Sequence, residues 1–364
     1  MSTKPKARRR HRTTAVAAIL ISVIALIIIL VLFVRPGTSG GAGGFPIRVN
    51  GLSVEQIGTV GNDIAVAEDA VFELYDSRGN QRYSVDLNYA SPVFVTSQNR
   101  ALIYDRGGNR MKICNRSGEV CSKEVEGQIL TCGFGGGRAA AAVLSDSTTS
   151  MLTVYDVNLI EEIFVWQTSS YIARVAVSPN GKYVAAATIN NENGDVYSEV
   201  TIFDTKSTDP LFTNKYPGET VLNLRFLNNS DITVVTDKSI SGISDRSALA
   251  YQNSFEYGSL SGIASSDNGV TALILSKISD GRDYVTLYNK DGEMVQEIQI
   301  DSAAIGLSLS NSKIFVLYSD KLVCYSASAK ESELQILDIQ SDSIKVLANG
   351  NTAYVLTSDE IQKF

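Results

Sequence analysis

Short apolar runs separated by polar turns fill the chain from residue 45 to its end, with no sustained helical period. Residues 174–188, RVAVSPNGKYVAAAT, read as two apolar strands around a turn of Ser, Pro, Asn and Gly. Residues 199–213, EVTIFDTKSTDPLFT, supply two more strands around a tight turn. Short apolar runs bounded by such turns predict β-strands. Four short strands joined by three turns are the unit of a propeller blade.

Two sequence markers repeat this unit eight times. The first, at the end of each third strand, recurs at intervals of 37–48 residues as Tyr75-Asp76, Cys114-Asn115, Tyr155-Asp156, Phe203-Asp204, Ile243-Ser244, Tyr288-Asn289, Tyr325-Ser326 and finally Phe364. The second is the polar turn before each second strand, which recurs in step with the first. Because this spacing is typical of four-stranded blades, the sequence predicts an all-β propeller with eight blades. Seven is the alternative, if the weak copy at Ile243 is an insertion.

The eighth copy stops at its third strand, so that its blade lacks one strand. The segment FPIRV, residues 45–49, is strand-like and precedes the first complete blade. Pairing it beside the last strand would complete the eighth blade and remove a sheet edge. We therefore predict that residues 45–364, called the body below, form one ring whose last blade contains both ends of the body.

The segment before the body has a different pattern. From Thr13 to Val34 there are 22 residues without a charge, most of them Ile, Leu or Val. A helix of this length is roughly 33 Å long and crosses a hydrocarbon core of about 30 Å, and the run exceeds the apolar part of a cleaved signal peptide. We predict a basic cytoplasmic tail at residues 1–12, an uncleaved transmembrane helix in contact with membrane lipid at residues 13–34, and a glycine-rich linker at residues 35–44.

Charge separates the two parts further. The formal net charge is -7, but residues 1–35 contain seven Lys or Arg and no acid, which leaves 25 Lys and Arg against 39 Asp and Glu in the remainder. Six of the basic residues precede the apolar run, so the positive-inside rule places the N-terminus in the cytoplasm and the body outside it. An acidic body is a poor ligand for phosphate backbones, and we expect no nucleic-acid partner.

The composition limits the chemistry of the body. The only histidine, His11, lies before it, so that neither a Ser-His-Asp nor a Cys-His mechanism is available there. We predict no catalytic residues, no cofactor and no metal site. An anionic-partner surface is a candidate on a locally basic stretch, with Arg100, Arg106, Arg110, Lys112 and Arg116. Cys114 and Cys121 flank a predicted hairpin turn, and a disulfide between them is permitted outside the membrane, with Cys132 as the alternative partner.

The body resembles the WD40 and quinoprotein-like propeller superfamily, because third strands such as VTIFDT and YVTLYNKDG resemble those of WD-type blades. It has no Gly-His or Trp-Asp pair, and Trp166 is its only tryptophan. The resemblance therefore implies the fold and implies neither the His-Asp-Trp network nor a quinone cofactor. The whole layout also resembles the uncharacterised membrane-anchored propeller proteins, a domain-of-unknown-function family, of anaerobic Gram-positive bacteria.

Two functions remain open at this point. The first is an anchored, extracytoplasmic scaffold that binds a protein or a cell-envelope polymer, since repeat surfaces suit recognition. The alternative is an extracytoplasmic hydrolase or lyase that uses carboxylates or a metal in the propeller channel. The alternative requires Asp, Glu, Arg or Tyr side chains from different blades to converge at one mouth of the channel. A channel lined by Ser, Thr, Ala and Val would argue against it.

Overall fold

The computed structural model describes residues 44–364 except for 69, 147, 256, 302–303, 328–332 and 340–341. A short strand, β1 (Ile47–Arg48), and a 3-10 turn at Gly51–Ser53 precede the first complete blade. Blade 1 contains β2 (Val54–Val60), β3 (Asp63–Glu68), β4 (Val71–Tyr75) and β5 (Gln81–Asp86). Blade 2 contains β6 (Pro92–Ser97), β7 (Arg100–Asp105), β8 (Arg110–Asn115) and β9 (Gly118–Glu124). Blade 3 contains β10 (Gln128–Gly135), β11 (Arg138–Leu144), β12 (Ser150–Tyr155) and β13 (Glu162–Thr168).

The remaining blades follow the same order. Blade 4 contains β14 (Tyr171–Val177), β15 (Tyr183–Glu192), β16 (Asp195–Asp204) and β17 (Pro210–Pro217). Blade 5 contains β18 (Val221–Phe226), β19 (Ile232–Thr236), β20 (Ser239–Ser244) and β21 (Ala248–Ser254). Blade 6 contains β22 (Tyr257–Ser265), β23 (Thr271–Lys277), β24 (Asp283–Tyr288) and β25 (Met294–Ile300). Blade 7 contains β26 (Gly306–Leu309), β27 (Lys313–Leu317), β28 (Lys321–Ser326) and β29 (Glu333–Asp338), and blade 8 contains β30 (Lys345–Asn349), β31 (Thr352–Leu356) and β32 (Glu360–Lys363).

Eight antiparallel four-stranded sheets result, and the eight-bladed prediction is confirmed. In the eighth sheet β1 pairs with β32, with Ile47 opposite Ile361, so that strands from both ends of the body complete one blade as predicted. The weak copy at Ile243 forms a full blade, and the seven-bladed alternative is wrong. Among the described residues no helix is long and apolar enough to cross a membrane. The predicted helix at residues 13–34 lies outside the described residues.

The core is divided among the seams between blades. Each of eight clusters of buried apolar side chains contains residues from two adjacent blades. The second strands are buried on both faces and read as nearly continuous apolar runs, and the third strands add further buried side chains. First strands contact their counterparts in neighbouring blades and therefore line the central channel. We call the end of the ring that carries the turns between first and second strands the AB face, and the opposite end the BC face.

The residue pair that marks the end of each third strand recurs because of the turn that follows it at the AB face. In blades 1 to 7 the fourth strand has a bulge opposite the marker's first residue, as at Arg82 beside Tyr75. The polar residue that follows closes the next turn, since Asp76 Oδ1 accepts hydrogen bonds from the backbone N–H groups of Arg78 and Asn80, both at 2.9 Å. Side chains that bond their own backbone favour turns. The same type of bond is made by Asn115, Asp156, Asp204 and Asn289.

These turns predict an acid-sensitive stability. At Asp76 and at Asp156 burial works against ionisation, but hydrogen bonds from the turn outweigh it and hold both carboxyl pKa values below their usual range. A carboxyl whose pKa is lower in the folded state stabilises the fold above its unfolded pKa of about 3.9, and that contribution is lost as the pH falls through the folded value. We expect the free energy of unfolding of the body to decrease below about pH 4.

Urea unfolding at stepped pH measures this dependence. Asp76→Asn keeps the accepting oxygen and removes the titration, so its loss of stability in acid should be shallower than that of the wild type. The opposite change, Asn289→Asp in the equivalent turn of blade 6, should make the loss of stability in acid steeper. The expectation is wrong if both variants follow the wild-type curve.

Candidate functional site

The central channel opens at the AB face into two adjoining cavities of about 590 and 420 Å³. The larger is lined mainly by hydroxyl and amide side chains on blades 6 to 8, among them Ser265, Ser308 and Asn349. The smaller is lined mainly by apolar residues and glycines from blades 2 to 5, among them Val95, Phe134 and Phe226. Asp267 in the first turn of blade 6 borders both. The mouth therefore offers many weak hydrogen-bonding groups and small apolar patches.

One ion pair stands at this mouth. Arg225 at the end of β18 donates to the backbone oxygen of Ser266 at 2.9 Å and to the carboxylate of Asp267 at 3.1 Å. It joins blades 5 and 6 where their first strands end. The carboxylate remains 96% exposed, so the pair is screened by water and contributes little to stability.

Deeper in the channel, polar side chains join neighbouring blades. The Gln56 amide both donates to and accepts from the backbone of Phe94 at 2.9 Å, which connects the first strands of blades 1 and 2. Lys345 Nζ donates to the backbone oxygens of Val54 at 3.0 Å and Glu55 at 2.6 Å and connects blade 8 to blade 1. Burial lowers the pKa of this lysine. These groups are satisfied by the ring itself and are not directed at a ligand.

The enzymatic alternative finds little support in this arrangement. Arg225 and Asp267 are the charged side chains that line the two mouth cavities within the described part of the chain. Among the described residues that line these cavities, no carboxylate pair from different blades converges, as glycoside hydrolysis would require. Within the same described residues, no group of three or more His, Cys, Asp or Glu side chains lies close enough together to hold a metal ion.

The basic residues proposed as a surface for an anionic partner all fall on blade 2 but lie at opposite ends of it. Arg100 begins β7 and Arg116 follows β8, which places both at the AB face. Arg106 and Arg110 flank the turn between β7 and β8 at the BC face, and Lys112 lies between the two ends. The structure therefore does not gather the five side chains into one patch.

Several of these cations already have partners. Lys112 forms an ion pair with Glu119 at 3.0 Å, and Arg110 donates to a backbone oxygen in the connection that precedes β6. Arg116 binds Asp63 on the neighbouring blade at 2.6 Å. That these residues bind an anionic partner stays a prediction, and their contacts describe a role within the fold.

All four cysteines are free in the structure. A bulge at Val120 of β9 sets Cys114 opposite Glu119 and Cys121 opposite Ile113. Adjacent positions of a strand point to opposite faces of its sheet. Cys114 accordingly packs in the cluster between blades 1 and 2, whereas Cys121 packs against the cluster between blades 2 and 3. The structure therefore does not form the predicted Cys114–Cys121 disulfide, and burial raises the pKa of the Cys114 thiol to about 12.

A cluster around Asp63 was not predicted from the sequence. Asp63 begins β3 and is 1% exposed. Its Oδ2 contacts Nε of Arg82 at 2.7 Å and Nε of Arg116 at 2.6 Å, and its Oδ1 accepts from Nη2 of both arginines at 3.2 and 3.1 Å. Arg82 lies on the same blade and Arg116 on the next. One buried carboxylate thus joins blades 1 and 2, because it forms a bidentate contact with an arginine of each blade.

Solved propellers share this fold at low sequence identity. BamB from Moraxella catarrhalis is 13% identical, with a TM-score of 0.58 over 89% of this chain and 99% of its own. A chain of the Mitotic Checkpoint Complex is 13% identical, with a TM-score of 0.53 over 91% and 96%. Hsv2 from Kluyveromyces lactis is 7% identical, with a TM-score of 0.53 over 76% and 96%. At these identities the likeness shows the propeller fold and no more.

Sequence comparison adds the family. No curated protein matches the chain. A family model does match, and it spans residues 51–364, which is nearly the whole propeller. The chain therefore belongs to the family of unknown function DUF5711.

Proposed function

We propose that this protein is a single-pass, membrane-anchored binding module that holds its propeller outside the cytoplasm and recognises a protein partner. The anchor in this proposal is the uncharged run at residues 13–34, and the six basic residues before it give the direction. The glycine-rich segment at residues 35–44 would act as a tether to the body.

The binding role rests on how the channel wall uses its polar side chains. Three of these side chains donate hydrogen bonds to backbone oxygens of the neighbouring blade and so hold the ring rigid: Gln56, Arg174 and Lys345. The mouth presents hydroxyl, amide and small apolar groups in place of a reactive cluster. A rigid ring whose exposed groups are many and individually weak is suited to recognising a large surface.

A protein is the partner that the comparisons favour. The fold neighbour from the Mitotic Checkpoint Complex is, by its name, part of an assembly of proteins. Fold likeness alone does not transfer a function. The acidic excess of the body independently disfavours nucleic acid.

Crosslinking on intact cells tests location and partner together. Cells that make the full chain are treated with a membrane-impermeant, lysine-reactive crosslinker, and species linked to the body are identified by mass spectrometry. We expect a defined protein adduct with the full chain and none with a chain that begins at Gly44, because that chain lacks the proposed anchor and stays inside. An unmodified body in intact cells that becomes reactive after lysis would contradict the proposed location. Modification of the body without any protein adduct would contradict the proposed partner.

A further inference from the structure

The outermost strand of blade 5 differs in composition from the other outermost strands. β21 reads ALAYQNS, with neither a charged residue nor a proline. Each of its seven counterparts carries at least one charge: β1, β5, β9, β13, β17, β25 and β29. Charges and prolines on edge strands are among the features by which proteins prevent the addition of another chain. β21 lacks both.

The same strand is also open to solvent. Six of its seven residues are exposed, and the half-buried Tyr251 is the exception. On its inner side β21 pairs with β20, and no strand in the described part of the chain pairs with its outer edge. A bulge at Ala250 interrupts this edge, and the regular part from Tyr251 to Ser254 offers a row of backbone N–H and C=O groups for strand addition.

A pocket of about 310 Å³ adjoins β21 at the AB face, between blades 5 and 6. Tyr251 forms one wall, and its ring is packed so closely between Gly242 and Gly292 that a side chain at either glycine would collide with it. The other apolar lining residues are Leu227, Ile232, Ile243 and Ala250. The tyrosine is thus fixed in place by the two blades, which preforms the pocket.

The charge around this blade 5–6 pocket is mainly negative. Three carboxylates border it, from Asp231, Asp267 and Asp291, against one ammonium, from Lys290. Lys290 is paired with Asp291 at 2.7 Å and Arg225 with Asp267 at 3.1 Å, so that the acidic excess at the rim rests mainly on Asp231. An apolar floor with an acidic rim complements a lysine or arginine side chain, because such a side chain buries its hydrocarbon stem and keeps its cation at the surface.

We propose that β21 accepts an extended segment of the partner protein as a fifth strand of blade 5, with a lysine or arginine of that segment entering the blade 5–6 pocket. The proposal rests on the protein-binding function proposed above and specifies how the partner is held. A second copy of this chain fits less well. Its own β21 could pair with the edge, but that strand contains no basic residue to complement the acidic rim.

A peptide probe tests the proposal. The probe is an amidated peptide as long as β21, in which Thr and Val alternate around one central lysine. We expect it to bind the body and to protect the backbone amides of residues 248–254 from hydrogen exchange. A twin peptide methylated on its backbone nitrogens should not bind, since it cannot donate to the edge. A peptide with glutamate in place of the lysine should bind at least about tenfold more weakly.

Variants of the body distinguish pairing at the β21 edge from non-specific binding of the probe. Leu249→Lys places a charge on β21 at a position that is 38% exposed, and it should weaken probe binding by about tenfold or more. The matched control is Val295→Lys on β25, which is 42% exposed and should bind as the wild type does. Thermal unfolding of both variants checks that the fold is kept. Asp267→Asn combined with Asp291→Asn should remove the preference for lysine over glutamate.

Several results would overturn the proposal: no binding of the lysine peptide, equal binding by Leu249→Lys, or protection of strands other than β21. A dimer of the body that Leu249→Lys dissociates would also overturn it, because the edge would then be occupied by a second copy. If the crosslinked partner is retained by Leu249→Lys in intact cells, the protein-binding function stands and this mode of binding fails.

Discussion

Replacing Asp63 with asparagine should lower the free energy of unfolding of the body by about 2–3 kcal/mol. The wild-type carboxylate is almost fully buried and accepts from two guanidinium groups on two blades. An amide would offer one accepting oxygen and turn an NH₂ group toward an arginine. Breaking a fully buried pair costs about 3–5 kcal/mol, and we expect less here because Arg82 and Arg116 are each more than one third exposed and can be rehydrated.

Chemical denaturation followed by fluorescence measures this loss. The control is Asp291→Asn, which removes a carboxylate whose ion pair with Lys290 is largely exposed, and it should leave the stability nearly unchanged. If Asp63→Asn unfolds at the same denaturant concentration as this control, the cluster does not join the blades in the way that its geometry indicates.

A chain that begins at Gly51 should be less stable than one that begins at Gly44 by about 3–4 kcal/mol, and it should self-associate. The shorter chain loses β1, whose Ile47 is 4% exposed, and also Phe45, whose ring stacks on Tyr354 at 5.4 Å. It also uncovers the edge of β32, where Ile361 had been opposite Ile47. Both chains lack residues 1–43, so the comparison isolates the closing strand.

Denaturant titration and sedimentation velocity at increasing concentration provide the two measurements. The chain that begins at Gly44 should remain monomeric over the range in which the shorter chain associates. Equal stability and equal sedimentation would show that blade 8 holds its shape with three strands. The match to the family model begins at residue 51, so this closing strand lies outside it.

The repeat was predictable because its markers serve local geometry. Asp76 and its counterparts lie where a turn must be closed beside a bulge in the fourth strand, so the same residue types recur at the same point of each blade. The weak copy at Ile243 retains the strand pattern and the bulge, and Ser244 closes its turn through a backbone bond to Ser247. The missing strand of the eighth copy likewise predicted the closure by β1.

The candidate sites were less predictable because they depend on register and on distant contacts. Closeness in sequence suggested a patch on blade 2, but Arg106 and Arg116 lie at opposite ends of it. A single bulge moved Cys114 and Cys121 onto different faces. No local sequence pattern predicts the contact between Asp63 and Arg116, because the two residues are 53 positions apart and belong to different blades.

The closure of the eighth blade determines the order in which the protein can be completed. β1 is made before all other strands of the body and its partner β32 after them, so their pairing spans the entire body. Contacts of such sequence separation carry a large loop-closure cost and form late. Blades 1 to 7 each contain four consecutive strands and can assemble as they emerge, whereas the first strand must wait unpaired for the last. In a growing chain the ring is therefore an open arc, and it becomes a ring only after β32 has been made and released.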